Sequence, residues 1–591
     1  MKSYVSALKT GNRELIYKYW TDVSTKRPGF NIMHATKRSL IPIYDWPDFL
    51  GEGKYTFALK EVNNNENYST ISFQWIKINS EERAESNTHE MILYLVKENY
   101  RWLFINPIDL LTKDWKTYET ETFRFIYPAE FDVMNYVAEI GKMESDTRYI
   151  LDVFNVNPNK KIEYYKVRTP EECGKLISHP PANGYAANYF KSTPDSLRFF
   201  DVLISTSFRN LHEATHLFTS LAGIKYVSAA YTEGLAVAFG GSTFQEKELS
   251  DYYSKSLLNT KEFIPLSDLL SIADNNFLRQ GYKTYQEAGS FFRFLTEKYG
   301  FQKLALLGTS YKDSVNVISA FESKYDMDIY ELEQGWIEYL NKIKFPEIRN
   351  TIPEKAQTVF SLNDPLGDDL GDGDYSYPER FPDEEGAFDI LKFEIFKDET
   401  NLYFKIKLNN LIKPVDYNFT EERFMPGVVI AIQKGVSDGR KIQRFFDGIS
   451  LEDNFGYDIK LTVGFGISFS NNFGKVYMCT SDISRRIFNY EENTITFSVP
   501  IEIMDDPGED WYYFVGTGLI SDRTMNFYGG PMEVRKDHPI FISGGNYTYG
   551  NPAYIDLLLP GSYDQTEILN NYDPQEGKFA RIPMITLKDA Q

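Results

Sequence analysis

The chain has 591 residues, 42% hydrophobic and 25% charged, a length that calls for two to four domains and a composition ordinary for a soluble globular protein. Its 63 basic and 84 acidic residues give a net charge of −21, which leaves no cationic excess to neutralise phosphates and argues against a nucleic-acid partner. Two cysteines, Cys173 and Cys479, form no CxxC pair and no metal-ligand spacing, and no run reaches the ~18 apolar residues of a transmembrane segment.

The first region, 1–115, opens with a helical pattern in which Val5, Leu8, Leu15 and Tyr19 recur at helical intervals, with no apolar leader segment. This start fits either a cytoplasmic protein or the mature part of an exported one. Strand-like runs follow at 55–62, 68–78 and 89–108, and the NNNEN stretch at 63–67 between two alternating runs predicts a hairpin. A helix followed by curved antiparallel strands resembles, in layout, the cone-shaped α+β domains of the nuclear transport factor family, which implies an accessory domain. The second region, 116–350, starts with a strand at 121–128 and continues in amphipathic helical runs at 129–154, 207–222, 231–240, 284–299 and 328–344. A loop rich in Pro, Gly and Asn interrupts them at 178–190. After a linker at 345–357, the third region (357–591) consists of short alternating strands between Gly, Asp and Asn turns, the pattern of a β-sandwich.

The second region holds HExxH as His212-Glu213-Ala214-Thr215-His216. On a helix, positions four apart share a face, so the two imidazoles can converge on one metal with Glu213 beside them. Ser205, Thr206 and Ser207 are available as an N-cap, and Gly223 stands where the helix would stop. The bland alternative is a solvated helix with two satisfied histidines. With only six histidines in the chain, a chance HExxH has odds on the order of a few in a thousand.

A catalytic zinc needs three protein ligands and an open position for water. After His216 comes YTEGLAVAFGG, a short helical pattern beginning with Glu233, which by itself is equally a carboxylate stabilising its own helix dipole. Together, HEATH and this EGLA-type sequence resemble the gluzincin metallopeptidases, in their peptidase-MA-like branch. That resemblance implies a thermolysin-like, mainly helical domain over 116–350, zinc held by His212, His216 and Glu233, and Glu213 as general base on a peptide or protein substrate. The segment KTYQEAGSFFRFLTEKYG is similar to the family's later helix, which makes Tyr285 the implied oxyanion donor, with Tyr282 its competitor. NGYAANYF, at 183–190, stands where the family places its substrate-binding edge strand, so Gly184 and Ala186 would accept a peptide as an added strand. One departure is Val237, where many relatives carry an acidic residue that orients the first histidine; support for His212 must come from elsewhere.

The third region opens with FSLNDPLGDDLGDGDYSYPERF, which sets Asp364, Asp368, Asp369, Asp372 and Asp374 among glycines. Hard oxygen ligands on a flexible loop suit calcium, although the spacing is not that of an EF-hand, and a solvated acidic turn is the alternative. This loop, FDILKFEIFKDETNLYFKIKL and NPAYIDLLLPGSYDQ closely resemble the C-terminal β-domain of glucodextranase and related surface enzymes. The resemblance implies a jelly-roll-like sandwich over 357–591, a surface or glycan-binding role, and an extracellular or cell-surface location. Asp364, Asp369 and Asp389 are taken as the calcium ligands.

The expected architecture is therefore a multidomain α+β protein: an accessory domain (1–115), a gluzincin domain (116–350) and an all-β sandwich (357–591). The expected function is that of a secreted or surface-associated zinc peptidase. Its alternative is a surface or glycan-binding protein with an inactive or structural peptidase-like domain. Hydrolysis of a non-peptide amide, such as a cell-wall crosslink, is a third reading.

Overall fold

The computed structural model describes residues 18–23, 55–65, 68–77, 88–177 without 159, 184–188 and 201–589, the last stretch without 243–245, 259, 313–314, 345–346, 376–384, 417–422, 436–447, 453–454, 472–475, 480–485, 522–530, 533, 535–546, 548–549, 575 and 577. The expected N-terminal helix lies almost wholly outside the described residues. The chain divides into two compact units, Met1–Phe131 with Pro158–Phe208, and Asp132–Asn157 with Arg209–Gln591.

The first unit contains two sheets. One is an antiparallel meander of β1 (Tyr55–Asn64), β2 (Ser69–Lys77), β3 (Thr88–Glu98) and β4 (Arg101–Ile105). The β1–β2 hairpin closes around Asn64 opposite Ser69, as the NNNEN stretch predicts. The long run at 89–108 is two strands, not one. Asn99 and Tyr100 turn the chain at φ 47° and 64°, and left-handed pairs of this kind match the twist of a tight hairpin.

The second sheet has the order β5-β6-β7-β9-β8, comprising β5 (Lys116–Glu119), β6 (Phe123–Tyr127), β7 (Ile162–Lys166), β8 (Gly184–Asn188) and β9 (Asp201–Ser205). Its centre is parallel, and β8 closes one edge antiparallel to β9. Ile126, Tyr165, Val202 and Ile204 form its core with Cys173 and Leu176 of the helix Pro170–Ile177. Cys173 is buried there among apolar side chains.

The second unit begins with helices: α1 (Val137–Phe154), α2 (Leu211–Leu221), α3 (Ala229–Gly240), α4 (Leu249–Leu257), α5 (Tyr282–Tyr299), α6 (Phe301–Ser310) and α7 (Ile329–Asn341). α3 packs against both α2 and α5. Its alanine- and glycine-rich sequence permits this closeness. A Cβ on Gly234 would fall 2.8 Å from the Phe292 ring, and one on Gly289 of α5 would fall 2.2 Å from Val237. α7 is fixed by a capping box between Asp328 and Glu331 and by buried Trp336, whose indole N–H donates to Ser290 Oγ at 3.1 Å.

The C-terminal part is mostly β. Strands β10 (Gln357–Asn363), β11 (Ile390–Lys397), β12 (Asn401–Leu408), β13 (Arg423–Lys434), β14 (Ile459–Val463), β15 (Ile467–Asn471), β16 (Val476–Cys479), β17 (Phe488–Asn489), β18 (Thr494–Pro500), β19 (Trp511–Ser521) and β20 (Asp556–Leu557) make two antiparallel sheets. The first has the order β10-β11-β12-β18-β17; the second follows β16-β15-β14-β13-β19-β20. Neither closes into a barrel among the described residues. Alternating apolar residues of both sheets meet in one core, where Phe360 and Phe393 of the first lie 4.7 and 6.5 Å, ring to ring, from Tyr513 of the second. Among the described residues no helix is long and apolar enough to cross a membrane.

Candidate metal centre

The α2 helix starts later than its hydroxyl-rich approach suggests. Ser205 ends β9, and Ser207 N–H donates back to Ser205 Oγ at 3.2 Å, so the expected Ser-Thr-Ser cap is used in the turn instead. The cap is Asn210, whose Oδ1 accepts from Glu213 N–H at 3.1 Å. Leu211, Ala214, Leu217, Phe218 and Leu221 bury the opposite face, and Gly223 carries the chain out at φ 73°. His212 is nearly buried, while Glu213 and His216 are half-buried.

α3 begins at Ser228, whose Oγ accepts from Tyr231 N–H at 3.2 Å, and this start brings Glu233 to the two imidazoles. Glu233 Oε2 lies 3.3 Å from His212 Nε2 and 3.3 Å from His216 Nε2. One atom from each of the three residues lies within 4.8 Å of the others. Burial alone would raise the Glu233 carboxyl; the charge of His216 and the hydrogen bonds from both imidazoles outweigh it and hold the group well below the usual carboxylate range. Burial works against protonation of His212, but hydrogen bonding to Glu233 and the Glu233 and Glu213 charges win, so its pKa is raised.

A tetrahedral zinc with ligands at about 2.0–2.1 Å has ligand–ligand edges of roughly 3.3 Å, and two imidazoles with one carboxylate is a donor set used by catalytic zinc. The donor set therefore suits that ion, and the two distances through Glu233 have the length of such an edge. The orientation of His212, left open by Val237, is supplied by backbone: its Nδ1 donates to the Gly241 carbonyl at 2.8 Å. A carbonyl only accepts, so Nδ1 carries a proton, and in the neutral ring Nε2 is then the nitrogen free to bind a metal. Gly240 makes the approach possible, since a Cβ there would stand 2.5 Å from His212 N. Val237 is buried against Gly289 of α5 and faces packing rather than the histidine. Sequence reading missed this support, and the double glycine closing YTEGLAVAFGG was the only signal of it.

Tyr285, on the first turns of α5, lies beside the centre, its ring 6.4 Å from that of His212 at an interplanar angle of 25°. Tyr282 is the first residue of the same helix. Gly184 and Ala186 are on the edge strand β8, paired with Ser205 and Leu203 of β9. Deeper in α5, Glu287 is fully buried; its Oε1 accepts from Ile264 N–H at 3.0 Å, while Oε2 has no hydrogen-bond partner. Burial pushes this carboxyl up to about 8.

The aspartate loop gathers a different set from the one expected. Carboxylate oxygens of Asp364, Asp368 and Asp556 lie within 4.8 Å of one another. Asp389 is buried next to Ile390, whose N–H donates to Asp556 Oδ2 at 2.6 Å, while Asp369 is not one of the three converging groups. Asp372 accepts from Tyr572 O–H at 2.8 Å and so ties the loop to its own domain. Burial, followed by the charges of neighbouring aspartates, raises the carboxyls of Asp364 and Asp556. Burial likewise raises Asp368, to about 6.

Residues 359–584 match the family described as the C-terminal binding module, SLH-like, of glucodextranase. No protein among those of curated function matches the chain. Among solved structures, the chain is similar to aminopeptidase A of Legionella pneumophila in complex with aspartic acid, at 9% identity and a TM-score of 0.22, over 76% of this chain. The chain spans 40% of the length of that protein.

Proposed function

We propose that this protein is a surface-associated zinc hydrolase that cleaves peptide bonds at the His212–His216–Glu233 centre and is held at its place of action by its C-terminal module. The convergence of the donor atoms carries the reading: two imidazole nitrogens each stand 3.3 Å from one carboxylate oxygen, a distance compatible with two edges of a tetrahedral zinc site. Zinc held there supplies Lewis acidity and lowers the pKa of water to about 7. Glu213, one residue from the first ligand and half-buried, would take the proton as water attacks the carbonyl and deliver it to the leaving amine. Tyr285 would donate its hydroxyl proton in a hydrogen bond to the developing oxyanion.

A second reading is favoured by the family match over 359–584: a cell-surface or glycan-binding protein whose helical part is inactive or only structural. That match bears on binding more directly than any observation bears on turnover, and the two readings share the binding role. They part at Glu213, because a structural zinc site has no use for a general base.

Digestion of a peptide library by the purified full chain, read by mass spectrometry beside zinc analysis, separates them. About one zinc per chain and cleavage lost in Glu213→Gln are expected. A zinc-loaded parent that cleaves nothing while the chain binds polysaccharide would leave the second reading standing. Cleavage by Glu213→Gln at the parent's rate would overturn the mechanism.

A further inference from the structure

We propose that Asp364, Asp368, Asp389 and Asp556 form a calcium site that clasps the aspartate loop to β20. Three of the four carboxylates already place oxygens within 4.8 Å of one another, and ligands on opposite sides of a calcium ion at ~2.4 Å stand about 4.8 Å apart. An independent observation comes from Asp389, which belongs to the chain just before β11 rather than to the loop. It is fully buried, and its Oδ1 has no hydrogen-bond partner.

The Asp389 charge acts on Asp364, Asp368 and Asp556 alike. Asp389 Oδ2 accepts from Gly367 N–H at 2.9 Å, one residue before Asp368, and its neighbour Ile390 donates to Asp556. Two of the converging groups repeat the pattern. Asp364 has Oδ1 held by Leu559 N–H at 2.8 Å while its Oδ2 is buried without a partner, and Asp368 Oδ1 is likewise buried and unpartnered.

Backbone N–H groups and the Asn409 amide thus hold one oxygen of Asp364 and of Asp389 and leave the other buried without a partner. Among the described residues no Lys, Arg or His pairs with any of the four carboxylates. Buried charges of one sign need either protons or a cation, and three buried unpartnered oxygens suit a cation. Calcium fits better than magnesium, which insists on a tighter octahedron and retains several waters. This inference does not depend on the zinc site.

The test uses the full chain with zinc saturated, exchanged into calcium-free buffer and then dialysed against calcium chloride. One calcium per chain is expected, with a rise of several degrees in the melting transition of the β region and no such rise from magnesium chloride at the same concentration. Asp389→Asn and Asp368→Asn should each weaken calcium binding at least tenfold and leave zinc content unchanged. Asp368 is only partly buried, so its variant decides the matter if Asp389→Asn fails to fold. The inference falls if the parent binds no calcium, if Asp368→Asn binds as tightly as the parent, or if magnesium stabilises equally.

Discussion

The two candidate metal-binding clusters of this protein are built by opposite means. The helical centre draws on residues close in sequence: the His212–Glu233 contact spans 21 positions, and one helical turn separates the histidines. In the β region the aspartate cluster joins distant segments, with hydrogen bonds that span 166 and 195 positions. The local centre needs only that two helices form and approach. The distant one exists only after two sheets have assembled in register. A short motif can therefore announce the whole of the first, but only the loop side of the second.

The largest expected effect tests whether the helical centre is chemical at all. Glu213→Gln should lower peptide hydrolysis by about 10²–10⁴-fold, the usual worth of a positioned general base, in a steady-state assay. Zinc content and the calcium-sensitive melting transition should both stay where they are. If zinc were lost with this variant, Glu213 would belong to the scaffold rather than to the reaction.

Next in size is the backbone support of His212. Gly240→Ala forces a Cβ toward His212 N, 2.5 Å away, and should weaken zinc binding by ~10–100-fold in a chelator competition, the usual cost of losing a ligand's support. Unchanged zinc affinity would show that the Gly241 carbonyl contributes nothing. The β region should not register the change.

A third prediction concerns pH. The Glu287 carboxyl has its pKa raised to about 8 in the folded chain, so the folded state binds its proton more tightly than the unfolded one. The resulting stabilisation is complete below the unfolded value near 4.5 and is lost as pH rises through about 8. Across that window the parent should lose stability with a slope of at most ~1.4 kcal/mol per pH unit from this group, and Glu287→Gln should flatten it. Parallel melting curves of parent and variant between pH 5 and 9 would refute the assignment. Smallest is Asn210→Ala, which should cost about 1 kcal/mol through loss of the α2 cap, read by thermal melting.

The local parts of the site were legible. HEATH, the Glu233 helix, Gly223 and the helical runs of the second region all rest on periodicity or short motifs, which survive into structure because helices are local objects. The cap was misplaced from Asn210 to Ser205–Ser207 because residue preference names suitable types, while the end of β9 decides which one is free to cap. The run at 89–108 was read as continuous because Asn99 and Tyr100 carry no glycine to mark their turn. The support for His212 was hidden because it is a peptide carbonyl, which every residue possesses. Asp556 was hidden for another reason: nothing near it in sequence resembles the loop it meets, and only strand pairing brings them together.

That pairing has a consequence in time. Leu559, whose N–H holds the Asp364 carboxylate, follows it by 195 residues. At a synthesis rate of about 5–20 residues per second, the loop leaves the ribosome roughly 10–40 seconds before the strand that completes it. The residues of the helical centre, by contrast, are all in the chain once Glu233 has been added, long before the β region begins.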